Sequence, residues 1–295
     1  MKVKNIFIVG GGLMGTGIAQ VAITAGYHVT LYDLNMGILE KARTSIEKML
    51  SKSMSKGKMS TEDKDAAMTR LTLSEDLKSA QSADMVIEAA PERVDVKKAL
   101  FAELSVICRE DTTFVSNTSS ISIANISSAV KKPERFVGMH FFSPVPLMEL
   151  VEIVKGLGTS AETVAIARAV GEQFGKKCIV VKDSPGFVVN RMLVPMLNEA
   201  CFLLESGIGS IEDIDTGMRY GLNHPIGPFE LMDMSGIDVA LAALEVIFNE
   251  TGDTKYRPAQ LLLNMRRMGW LGQKTDKGFY VYHEDGTKTP NPDIM

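Results

Sequence analysis

The chain has 295 residues, 45% of them hydrophobic and 23% charged, with a formal net charge of −4 at pH 7. That length buries a large core in one large domain or two, and the small negative charge gives no reason to expect nucleic acid or an anionic membrane as a partner. No run approaches the length of a bilayer span, and the apolar run after Lys2 and Lys4 breaks into glycines too soon for a signal peptide. Three scattered cysteines, Cys108, Cys178 and Cys201, show no metal-ligand spacing and read as reduced thiols of a cytoplasmic protein.

The first element is a strand-like run, Ile6-Phe7-Ile8-Val9, that feeds directly into Gly10-Gly11-Gly12-Leu13-Met14-Gly15. A helix is expected over residues 14–25, ended by Gly26, and a second strand His28-Val29-Thr30-Leu31-Tyr32 ends at the acid Asp33. Strand, glycine turn, helix, strand and acid in this order form a dinucleotide site. Gly10 permits the tight turn, Gly12 lets a pyrophosphate approach the backbone, and Gly15 lets the helix close on the strand. The helix N-terminus then points its free N–H groups at the phosphates. A carboxylate at Asp33 accepts both ribose hydroxyls and repels a 2′-phosphate, and Leu34 and Asn35 add no cation beside it. NAD is therefore expected rather than NADP.

Residues 35–56 and 61–70 read as two helices, an unusually long crossover of the kind that often carries function. Strands at 85–89, 113–116, 136–139, 150–154 and 178–181 then alternate with helices at 94–107 and 161–174. This alternation predicts an α/β fold: a Rossmann-type, doubly wound, mostly parallel sheet over residues 1–183, with a helical insertion at about 35–70. At Asp183-Ser184-Pro185-Gly186 the character changes. Residues 184–284 show helical periodicity with almost no strands, which predicts an all-α second domain. Its segment 187–205 is apolar on nearly all sides, as for a deeply buried or subunit-contact helix, and Pro195 should kink it. Further helices are expected at 211–219, 237–249 and 258–268. The charged residues 285–295 are expected to be a poorly ordered tail.

Four histidines limit the choice of a proton-transfer group. His28 reads as an edge residue, His283 lies near the C-terminus, and His224 sits in a proline-pinned turn. His140 ends a strand, where ligands gather in open parallel sheets. Glu152 lies on the next strand, and a carboxylate beside an imidazole fixes its tautomer and supports its cation. Spacing alone leaves this pair balanced between catalysis and a structural ion pair. Asn117 and Ser119 close another strand, where they offer neutral hydrogen bonds to a substrate oxygen or, the better reading from spacing alone, cap a helix. Asn190, on an apolar helix, needs a partner that is either substrate or backbone.

Taken together, Gly10 to Gly15, Asn117-Thr118-Ser119-Ser120, His140-Phe141-Phe142, Pro185 to Arg191, Gly227 to Leu231, Gly269 to Lys274 and Lys277-Gly278-Phe279-Tyr280 resemble the short-chain (S)-3-hydroxyacyl-CoA dehydrogenases, over a stretch that reaches about Tyr282. The resemblance implies reversible hydride transfer between a 3-hydroxyacyl-CoA, notably 3-hydroxybutyryl-CoA, and NAD. It implies His140 as general base, Glu152 as its partner, and Ser119 and Asn190 as hydrogen-bond donors to the reacting oxygen and thioester. It also implies cofactor contacts from Gly10, Gly11, Gly12, Leu13, Met14, Gly15, Asp33, Glu92, Lys97, Asn117, Ser119 and Lys274. Lys52 and Lys56, with Lys58, match the arm that covers coenzyme A, against the plainer reading of a solvated helix face. The helical domain is implied to form a homodimer. One departure is Ser143, where the family commonly has Asn, so a contact made there loses reach. A dehydrogenase of a free hydroxy or sugar acid and a non-catalytic NAD sensor are the competing readings.

Overall fold

The computed structural model describes residues 3–294 and divides into two compact units, residues 1–187 and 188–295. The first unit opens with β1 (Asn5–Val9), α1 (Leu13–Thr24) and β2 (His28–Tyr32). It continues through α2 (Met36–Ser55), α3 (Thr61–Met68), β3 (Leu71–Ser74), β4 (Met85–Glu88), α4 (Val94–Ile107), β5 (Thr113–Ser116) and α5 (Ile123–Ser127). It closes with β6 (Phe136–Phe141), β7 (Leu150–Lys155), α6 (Ala161–Gln173) and β8 (Lys177–Lys182).

These strands form one sheet in the order β3-β2-β1-β4-β5-β6-β7-β8. All neighbours are parallel except β6 and β7. The strand order reverses at β1, which pairs with β2 on one side and β4 on the other. Ligands sit outside the carboxyl ends of the strands at such a switch point. Strands β4, β5 and β6 are buried along their whole length, as expected for strands covered on both faces. Ile18, Ile23, Leu39, Ile46 and Ala167, from α1, α2 and α6, belong to one core cluster, and Phe101, Leu104, Ile123 and Ile126, from α4 and α5, to a second. The α/β class and doubly wound topology expected from the sequence are present. The short strand β3 was not expected: its four residues are half-buried at best and pair only with β2.

The second unit contains α7 (Val189–Glu205), α8 (Ile211–Thr216), α9 (Pro228–Ser235), α10 (Ile237–Thr251) and α11 (Gln260–Met268). The buried residues of α7 are Val194, Leu197, Asn198, Ala200 and Cys201, mainly a stripe at spacings of three and four, so the helix is not enclosed all round. Pro195 lies inside α7, which continues through it as one helix. Two expectations are corrected here. The unit is not purely helical, because β9 (Tyr280–Tyr282) and β10 (Lys288–Pro290) pair antiparallel. The tail is not loose either: β10 belongs to it, Asn291 is buried and donates to the Gly278 carbonyl at 2.7 Å, and Ile294 packs on the helical core.

Two buried acids account for this ordering. Asp233 on α9 accepts the N–H groups of Phe279 (2.9 Å) and Tyr280 (2.8 Å) and the Tyr282 hydroxyl (3.1 Å). Asp215 accepts the N–H of Phe229 and the Tyr280 hydroxyl, each at 2.8 Å. A Cβ on Gly278 would sit 2.0 Å from Asp233 Oδ1, so the Lys277-Gly278-Phe279-Tyr280 motif is the seat of this carboxylate.

Asp233 is 1% exposed, and burial pushes its carboxyl up from 3.8 to about 6 despite those hydrogen bonds. The folded state therefore holds this proton more tightly than the unfolded chain. The stabilisation is full below about pH 4 and is lost as pH rises to about 6, with a span of roughly 3 kcal/mol. Asp233→Asn should be less stable at every pH, since one amide oxygen cannot serve three donors. The melting-temperature gap between wild type and Asp233→Asn is expected to narrow from pH 4.5 to 6.5. A gap that widens over that range would contradict the assignment.

Candidate active site

The turn after β1 is built for close approach. Gly10 has φ of +103° and donates to the Tyr32 carbonyl at 2.8 Å. A Cβ on Gly15 would lie 1.8 Å from the Gly10 carbonyl oxygen, whereas a Cβ on Gly12 would meet nothing within 4 Å. The turn is thus packed tightly behind Gly15 and open above Gly12. Helix α1 starts there with no side-chain cap and no acid in its first turn, leaving its N–H groups for an anion. Asp33, just past β2, accepts the Gly11 N–H through Oδ2 at 2.8 Å. This cradle fits a dinucleotide: an uncapped helix terminus for the pyrophosphate and a half-buried carboxylate beyond the neighbouring strand for a ribose.

His140 and Glu152 face each other directly in the antiparallel β6–β7 register. The side chains meet at 2.7 Å between Nδ1 and Oε2; His140 is 6% exposed and Glu152 is fully buried. A carboxylate only accepts, so Nδ1 carries the hydrogen and Nε2 keeps the free lone pair. The imidazole packs against the rings of Phe142 and Phe187, with centroids at 4.5 and 5.6 Å. The ring is held in place, with Nε2 turned away from the Glu152 carboxylate.

The end of β5 is tied to the same strand. Asn117 Oδ1 accepts the Phe141 N–H at 2.9 Å, so this side chain braces β6 and is not a helix cap. The cap of α5 is instead Ser122. Glu92 gathers the following turn: its Oε1 accepts Thr118 Oγ1 (2.6 Å), Ser119 N–H (3.0 Å), Ser120 N–H (3.2 Å) and Ser120 Oγ (3.0 Å). Burial alone would raise the Glu92 carboxyl, but the Lys97 ammonium and these donors hold it below the usual carboxylate value. Lys97 is 1% exposed and bridges Glu92 (3.1 Å) and Glu88 (2.5 Å).

Two residues of this region escaped the sequence reading. Glu88 ends the otherwise apolar run Met85-Val86-Ile87, and an acid at the carboxyl end of a buried strand was the available signal. Lys176 donates to the carbonyls of Val145 (2.6 Å) and Met148 (2.8 Å), pinning the loop that joins the His140 and Glu152 strands; burial lowers the proton affinity of its ammonium. Ser143 is exposed in that loop. Lys52 lies in the last turn of α2 and Lys56 is its C-cap. Both are exposed, a position that also suits cations against the helix dipole.

The remaining expected site residues belong to the second unit. Asn190 is the second residue of α7 and is half-buried. Lys274 pairs with Asp238, near the start of α10, at 2.5 Å. The structure thus brings together His140 with Glu152, and Glu92 with Lys97 and the Ser119 turn, within the first unit.

Comparison with known proteins agrees with this geometry. Residues 5–184 match the family model for the 3-hydroxyacyl-CoA dehydrogenase NAD binding domain, and residues 186–282 match that for the 3-hydroxyacyl-CoA dehydrogenase C-terminal domain. A probable 3-hydroxybutyryl-CoA dehydrogenase of Bacillus subtilis is 43% identical over 284 residues, covering 96% of this chain and 99% of the relative. The mitochondrial hydroxyacyl-coenzyme A dehydrogenase of Mus musculus is 41% identical, covering 95% and 91%. The crystal structure of (S)-3-hydroxybutyryl-CoA dehydrogenase from Ralstonia eutropha superposes with a TM-score of 0.94 at 44% identity, covering 96% of this chain and all of that one. With both of its units matched and its fold shared, the chain belongs to the 3-hydroxyacyl-CoA dehydrogenase family.

Proposed function

We propose that this chain is an NAD-dependent oxidoreductase interconverting (S)-3-hydroxybutyryl-CoA, or a similar short 3-hydroxyacyl-CoA, and acetoacetyl-CoA. The observation that carries the reading is the buried His140–Glu152 pair at 2.7 Å, set at the end of a strand in a family-matched NAD-binding unit. Bound NAD supplies the acceptor for the hydride that leaves C3. His140 Nε2 takes the C3 hydroxyl proton in oxidation and returns it in reduction. Glu152 is a positioning residue that fixes the tautomer and stabilises the imidazolium. Ser119 holds the reacting oxygen, contributing mainly orientation. The Gly10–Gly15 turn holds the pyrophosphate, Asp33 the adenosine ribose, and Glu92, held by the buried Lys97, borders the cofactor together with Asn117. A carboxylate at Asp33 favours NAD over NADP.

The protein works in the cytoplasm as a homodimer through its helical unit, a reading supported by the exposed Met192, Tyr220, Leu222, Met234 and Met268. The described residues contain no helix long and apolar enough to cross a membrane.

Loss of NADH absorbance with acetoacetyl-CoA tests the activity directly. NADH binding without turnover would make the protein a sensor, and turnover of free acetoacetate at equal efficiency would make it a hydroxy-acid dehydrogenase. Lys52→Glu/Lys56→Glu is expected to raise KM for acetoacetyl-CoA about tenfold, with kcat within twofold, since each exposed charge reversed against a phosphate contributes up to about 1 kcal/mol. The rise should shrink in high salt. An unmoved KM would reduce the two lysines to a solvated helix end.

A further inference from the structure

Three charges run inward from the mouth of the cofactor site in steps of burial. The Glu92 side chain is 38% exposed, Lys97 1% and Glu88 0%. Glu88 is fully committed: Oε1 takes Lys97 Nζ (2.5 Å) and the Ala90 N–H (2.6 Å), and Oε2 takes the Ser116 hydroxyl (2.6 Å). Its place is the switch point, because Glu88 ends β4 opposite Val9 of β1, one residue before the glycine turn. With the pyrophosphate on that turn and the adenosine at Asp33 beyond β2, the nicotinamide half of the cofactor would lie on the other side of the switch point, toward the ends of β4 and β5.

Lys97 is too deeply buried to serve as an open contact for a ligand. Its ammonium stands between two carboxylates, and only Glu92 faces outward. Glu92 divides its oxygens: Oε2 goes to Lys97, while Oε1 holds the Thr118–Ser120 turn. That division lasts only while Glu88 shares the ammonium. Without the inner carboxylate, Lys97 has one counter-charge left, and the attraction draws Glu92 inward, away from the turn. We propose that Glu88 is a positioning residue of the cofactor site: it anchors Lys97 from below and so keeps Glu92 extended toward the Thr118–Ser120 turn that borders the nicotinamide. This rests on the dehydrogenase reading and adds a residue that makes no contact with cofactor or substrate.

The test is NADH titration by fluorescence, with steady-state kinetics alongside, on wild type, Glu88→Gln, Lys97→Met and the double variant. Glu88→Gln keeps an oxygen acceptor at the same place but removes the charge. It is expected to weaken NADH binding about tenfold and to raise KM for NAD in parallel, with kcat at saturating cofactor falling less than threefold. Because Glu88 acts through Lys97, the double variant should bind NADH no worse than Lys97→Met alone. NADH affinity within twofold of wild type in Glu88→Gln, or losses that multiply in the double variant, overturns the proposal. So does a kcat that falls while NADH affinity holds, the mark of a general structural lesion. Should Glu88→Gln not fold, Glu88→Asp, which keeps the charge one methylene further back, is titrated instead. A threefold or greater loss supports the proposal, and a loss under threefold rejects it. The titration needs no acyl-CoA, so a wild-type protein that bound NADH but left acetoacetyl-CoA untouched would sink the function and leave the Glu88 result standing.

Discussion

His140→Ala is expected to lower kcat by about 10³- to 10⁴-fold in both directions, the upper range for loss of a positioned general acid–base, while NADH affinity stays within about twofold. The expectation follows from the direction of the ring. Nδ1 is taken by Glu152 at 2.7 Å, so only Nε2 is available to move the substrate proton, and no second histidine lies on a neighbouring strand. The alanine variant also empties a space lined by Phe142 and Phe187 and takes the imidazole from a fully buried carboxylate, changes that together cost several kcal/mol. A drop in melting temperature therefore accompanies the loss of rate. His140→Gln separates the two effects. Its amide N–H still serves Glu152, so it should recover much of the stability, but an amide cannot accept the proton, so kcat should remain down by a similar factor. Near-normal kcat in the glutamine variant would remove His140 from the chemistry.

The parts of this site that could be read from the sequence were those whose chemistry is local in the chain. Gly10 to Gly15 and Asp33 lie in consecutive elements, and a strand, turn, helix and strand in that order leave little freedom of arrangement. His140 and Glu152 were harder. Twelve residues apart, they meet only because β6 and β7 run antiparallel in a register that sets them opposite each other, and alternating apolar residues do not specify that register. The Glu92 cluster was legible only through resemblance, because its members come from a loop, α4 and the end of β5, joined by contacts up to 28 residues apart. Glu88 was hidden by its own burial: inside an apolar strand it reads as an exception, and its meaning appears only when Lys97 and Ser116 are placed beside it. The same holds for the C-terminal hairpin. Three-residue strands carry almost no periodic signal, and β9 is fixed by the Asp233 carboxylate from a helix more than forty residues earlier.

Asp33→Ala is expected to cost NADH about 30- to 100-fold in affinity and NADPH far less, so that the preference between them collapses by one to two orders of magnitude. A hydrogen bond to a charged group contributes about 1.5–3 kcal/mol, and a ribose diol offers two hydroxyls to this one carboxylate. The structure adds a complication the sequence did not contain. Asp33 Oδ2 already holds the Gly11 N–H at 2.8 Å, so removing the carboxylate also loosens the phosphate turn, a loss both cofactors share. NADPH recovers part of that loss, because the 2′-phosphate no longer meets a negative charge. Titrating both reduced cofactors by fluorescence separates the two roles. A selective loss of NADH assigns Asp33 to the ribose. Equal losses would confine it to bracing the glycine turn, and the preference for NAD would then have to reside elsewhere on the rim of that crevice.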